Sequence, residues 1–92
     1  MDILNPLLGF LSGIERDPRI RSTHVSLYMA LFQQWVKNKG ENPIPIVSQD
    51  LMFTAKISSS ATYHKTLRGL HEYGYINYNP SFNKMKRSTV DI

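Results

Sequence analysis

The feature that most constrains this chain is a change of hydrophobic period at Gly74. Between Ser58 and Tyr73 the apolar residues Tyr63, Leu67 and Leu70 recur at three- and four-residue steps, which is one face of an α-helix. After Gly74, Tyr75-Ile76-Asn77-Tyr78-Asn79 and Ser88-Thr89-Val90-Asp91-Ile92 alternate as strands do. Pro80-Ser81-Phe82-Asn83-Lys84 supplies turn chemistry between them. A helix that runs straight into a hairpin predicts a mainly α fold with a small antiparallel sheet at one end.

The upstream residues add helices to this frame. Asn5-Pro6 predicts an N-cap with proline at the first helical position, followed by Leu4, Leu7, Leu8, Leu11 and Ile14 at helical spacing. Asp17-Pro18 ends that helix. A second helix is capped by Ser22 or Thr23, carries Val25, Tyr28, Leu31, Phe32, Trp35 and Val36 inward, and closes at Gly40. Asn42 to Val47 holds two prolines, so it is extended, and an edge strand tolerates them. Ser48 caps a brief helix with Leu51, Met52 and Ala55 inward, and Lys56-Ile57 forms the turn into the next helix, which one of Ser58, Ser59 and Ser60 caps.

Ninety-two residues are enough for one domain with one core, and a hydrophobic share of 41% argues against disorder. Residues 1–21 are expected to form the N-terminal helix and connector, and residues 22–92 the main unit, in a single compact body. With no cysteine there is no disulfide or thiolate chemistry, which suits a cytoplasmic setting. No segment is long and apolar enough for a membrane span, and the apolar start lacks the basic flank and cleavage site of a signal peptide. Ile92 still lies inside a strand pattern, so either a minimal stand-alone domain or an N-terminal piece of a longer protein is expected.

The net charge is +4, and its placement is uneven. Residues 1–55 balance to zero, whereas Lys56, Lys65, Arg68, Lys84, Lys86 and Arg87 face only Glu72 and Asp91 in the remainder. A one-sided basic field attracts polyanions. Burying Tyr63, Leu67 and Leu70 turns Thr62, His64, Lys65, Arg68 and Gly69 outward, behind the small residues Ser59, Ser60 and Ala61.

The order helix, short strand, short helix, turn, longer helix, hairpin resembles the winged helix-turn-helix family, with an extra N-terminal helix. The most specific stretch is Ser59-x-x-Thr62-Tyr63-x-x-x-Leu67-x-x-Leu70-x-x-x-Gly74-Tyr75-Ile76, and the likeness covers roughly residues 22–92. The resemblance implies sequence-specific binding of double-stranded DNA by a transcriptional regulator or a replication or mobile-element protein. Ser59, Ser60, Thr62, His64, Lys65 and Arg68 would then lie on the recognition helix, and Asn83, Lys84, Lys86 and Arg87 on the wing. Ser59 to Ala61 suit a phosphate, Thr62, His64 and Lys65 base edges, and Arg68 the backbone.

Two other functions compete with it. A winged helix used only for protein–protein contact would show an apolar or mixed-sign face on this helix. A single-strand binder would expose Tyr75 and Tyr78, which are instead expected to pack. No catalytic grouping, cofactor, metal site or small-molecule ligand is expected: His64 and His71 lack a third ligand, and neither a nucleophile elbow nor a glycine-rich phosphate loop occurs. Ile3, Phe10 and Ile14 fall off the leucine stripe of the first helix and are the expected contact of a homodimer.

Overall fold

In the computed structural model, which describes residues 3–83 and 85–92, the elements run α1 (Asn5–Ile14), α2 (Ser22–Lys37), β1 (Ile44–Pro45), α3 (Ser48–Ala55), α4 (Ser60–Glu72), β2 (Asn77–Asn79) and β3 (Thr89–Asp91). The class is mixed α+β, four helices with one three-stranded antiparallel sheet in the order β1-β3-β2. Ile44 pairs with Val90, and Val90 with Tyr78, so the central strand carries the fully buried Val90. β1 is an edge, as its prolines require. Asn42 fastens the chain end beside it, its Oδ1 accepting from the Ile92 N–H at 3.1 Å and its Nδ2 donating to the Ile92 carbonyl at 2.9 Å.

Helix α2 packs against both α3 and α4. Leu27, Tyr28, Ala30 and Leu31 meet Leu51 and Ala55 of α3 and Tyr63, Leu67 and Leu70 of α4 in one core. Each fully buried leucine contributes about 1.5–3 kcal/mol. Leu27 and Ala30 belong to this face although the predicted stripe omits them, and Val36, predicted inward, is exposed. The chain leaves α3 through Lys56 in the left-handed region (φ 61°) and enters α4 at Ser59. It leaves α4 at Gly74, whose φ of 87° is open to glycine at no steric cost.

Helix α1 departs from expectation in two respects. It begins at Asn5 with Leu4 as N-cap, so Asn5 lies inside the helix and caps nothing. Its inward face is Leu7, Phe10 and Ile14, while Leu4, Leu8 and Leu11 are exposed. Phe10 stacks face to face on Tyr28 with ring centres 3.8 Å apart and meets the edge of Tyr75 at 5.3 Å. Phe10 and Ile14 are therefore core residues, not the dimer contact predicted from the sequence, and of that set Ile3 alone is exposed. No helix of the described residues is long and apolar enough to cross a membrane.

Candidate nucleic-acid interface

The start of α4 is built by its own side chains. Ser59 Oγ accepts the Thr62 N–H at 3.2 Å, which makes Ser59 the capping serine of the three. One turn on, His64 Nδ1 lies 2.8 Å from the Ser60 carbonyl. A carbonyl only accepts, so this nitrogen carries a proton and donates. Arg68 Nε donates to the His64 carbonyl at 3.4 Å. Ser59, Ser60, Thr62, His64, Lys65 and Arg68 are all exposed, as the sequence predicts. Every exposed side chain from Ser59 to Arg68 is neutral or basic. Tyr63 sits beneath this surface, and burial pushes its hydroxyl up to about 12, so it stays protonated.

Gly69 corrects the predicted face. It is buried, and a Cβ there would come within 2.9 Å of His24 Nε2. Thr66 is buried on the same side. The flank of α4 carrying Thr62, Lys65, Thr66 and Gly69 thus lies along the start of α2, and the open face is narrower than helical phase alone suggests.

That flank and the start of α2 enclose a polar notch of about 430 Å³. Arg19, Arg21 and Lys65 line it with His24, Thr62 and Thr66. Thr23 and Tyr73 complete the wall. The Arg21 N–H donates to His24 Nδ1 at 2.9 Å, so this histidine, not Ser22 or Thr23, satisfies the amide at the head of α2. Burial, and then the charge of Arg21, hold the His24 imidazole below its ordinary value. Arg19 donates through Nε and Nη2 to the two oxygens of Asp17, both at 2.9 Å, and lies 4.2 Å above the Tyr73 ring. The Asp17 carboxyl also accepts from the Tyr75 hydroxyl at 2.5 Å, and these two partners hold it well below the usual carboxylate range. Sequence reasoning missed the notch. Its visible signal is Arg19 and Arg21 placed at the positive end of α2, where the helix dipole disfavours cations.

The loop from β2 to β3 is less uniform than predicted. Asn83, Lys86 and Arg87 are exposed, and Lys84 lies outside the described residues. Asn83 Oδ1 accepts from the Met85 N–H at 2.9 Å, so this side chain shapes the turn. Arg87 reaches a hollow beside Gln34, Val47 and Asp50 at the start of α3. Phe82 and Met85 stand exposed at the tip. Tyr75 and Tyr78 are half-buried against the core, as expected for strand residues. His71 Nδ1 accepts from the Tyr78 N–H at 3.0 Å and ties α4 to β2. Comparisons with protein-family models, curated proteins and solved structures found no match.

Proposed function

We propose that this chain is a winged helix-turn-helix domain that binds double-stranded DNA in a sequence-specific way, as a transcriptional regulator or a replication or mobile-element protein. Helix α4 is the recognition helix and the β2–β3 loop is the wing. The observation that carries the proposal is the exposed, acid-free surface from Ser59 to Arg68 behind a capped helix start. A 13-residue helix is about 20 Å long, and a major groove about 12 Å wide admits it. Thr62, His64 and Lys65 then face base edges, while Arg68, Lys86 and Arg87 take phosphates. Fluorescence anisotropy with a mixed-sequence duplex at two salt concentrations tests this. Binding that weakens steeply with salt is the expected result, and no binding at low salt overturns it.

A protein-interaction module is the competing function. It is favoured by an apolar groove of about 610 Å³ between α2 and Thr54 of α3, lined by Met29, Ala30, Phe32 and Val36. No residue of α4 lines that groove, so loss of DNA binding by α4 variants separates the two functions. A two-fold dimer belongs to the DNA-binding proposal on a new face. Leu8 and Leu11 stand 55% and 41% exposed on α1, and a two-fold contact lets one apolar patch complement itself. Such a dimer presents two α4 helices to half-sites about one helical turn, or a multiple, apart.

A further inference from the structure

We propose that the notch between the head of α2 and the flank of α4 is a phosphate site, filled by one backbone phosphodiester of the bound duplex. The proposal rests on the DNA-binding reading and adds a contact outside the recognition face and the wing.

The first support is a set of donors without partners. Thr66 is 3% exposed and lines the notch, and its hydroxyl has no hydrogen bond among the described residues. His24 is 9% exposed; its Nδ1 accepts the Arg21 N–H, so the neutral ring carries its proton on Nε2, which also has no partner among the described residues. Neither atom is sealed from solvent, since among the described residues the one fully buried side-chain polar atom left without a partner is Trp35 Nε1, so both donors stay open to an acceptor that enters the notch. The amides of Ser22 and Thr23, in the first turn of the 16-residue α2, add two donors that no described carbonyl accepts.

Charge is the second support. Arg19 is held in place by Asp17 and Tyr73, which fixes its fork at the rim. Arg21 and Lys65 have no carboxylate within 4.0 Å among the described residues. Two uncompensated cations, the positive end of α2 and neutral donors around one hollow suit a ligand with several acceptor oxygens and a negative charge. Position then selects the source. Thr62 and Lys65 belong both to the notch and to the exposed face of α4, so a duplex seated on that face brings its sugar–phosphate strand against the notch.

The test uses the full chain and three variants: Arg21→Gln, Thr66→Val and Lys65→Gln. Each should keep the thermal midpoint near that of the parent, since none of the three side chains donates or accepts a hydrogen bond that holds the fold together. In duplex titrations, Arg21→Gln should lower the log–log salt slope by about 0.9, equivalent to a roughly 3.5-fold smaller affinity loss between about 50 and about 200 mM salt. The sequence preferred in a random pool should not change. A methylphosphonate scan of the selected duplex should show one position that weakens the parent and leaves Arg21→Gln unaffected. Separately, inorganic phosphate should shift the Thr23 and Thr66 amide resonances saturably, and Thr66→Val and Lys65→Gln should abolish or weaken the saturation. Duplex binding with an unchanged slope and no such position overturns the phosphate site and leaves the DNA-binding reading standing. Phosphate saturation without duplex binding overturns the duplex as its source, in favour of a free phosphorylated small molecule. Absence of both overturns site and reading together.

Discussion

At Gly69 a missing side chain lets His24 of α2 pack against α4, and restoring it has a calculable cost. In Gly69→Ala the new methyl would lie 2.9 Å from His24 Nε2 and 3.4 Å from Tyr73 Cε2. His24 is buried and pinned at its other nitrogen by the Arg21 N–H, so it cannot swing away freely. Overpacking of this kind costs about 1–3 kcal/mol. Replacing a helix-interior glycine returns about 1 kcal/mol. The net is a destabilisation of about 1 kcal/mol, or a thermal midpoint lower by about 4–8 °C for a domain of this size. Gly9 is the internal control: it lies in α1, is exposed, and would carry a Cβ with nothing within 4 Å of it. Gly9→Ala should therefore stabilise by about 0.5–1 kcal/mol. Urea unfolding of both variants beside the parent measures the difference. If Gly69→Ala gains stability as Gly9→Ala does, His24 and Gly69 are not tightly packed, and the notch has no inner wall.

The His24 imidazole is neutral when folded and sits below its ordinary 6.5, first because it is buried and then because Arg21 is near, with Asp17 opposing. Its contribution to stability is therefore complete above pH 6.5 and is lost as pH falls through the folded value, so the urea midpoint should drop as pH falls below 6.5, and His24→Gln should flatten that drop. Replacing Lys84, Lys86 and Arg87 with alanine should reduce the salt slope of duplex binding by about 0.9 for each phosphate that is no longer neutralised, equally on all sequences; an unchanged slope removes the loop from the interface. Light scattering at micromolar concentration should give a dimer for the parent and a monomer for Leu8→Glu, and a monomeric parent on and off DNA rejects the α1 interface.

Much of the fold is legible in local chemistry. The period change at Gly74, the serine cap of α4, the turn at Lys56-Ile57 and the edge strand at Ile44-Pro45 all follow from residues within a few positions of one another. What was not legible depends on long-range partners. The stretch from Ile3 to Ile14, which holds α1, has seven large apolar residues, so its period admits more than one inward stripe. Tyr28 and Tyr75 decide the matter by enclosing Phe10. Gly69 reads as an outward position until His24 is placed against it. The notch has the same origin: Arg19 and Arg21 lie in a stretch that nets zero charge, and only the packing of α2 on α4 sets them beside Lys65.

The central claim is that α4 reads DNA sequence, and selection from a random duplex pool tests it most directly. The parent chain should enrich a defined site. Single alanine variants at Thr62 and His64 should each lose about 1–3 kcal/mol against that site, while their affinity for random duplex changes less, and Lys65→Ala, which also removes a cation from the notch, should weaken both. Enrichment of the same site by a variant with alanine at Thr62, His64 and Lys65 together, at the parent's affinity, would contradict the account and remove α4 from sequence recognition.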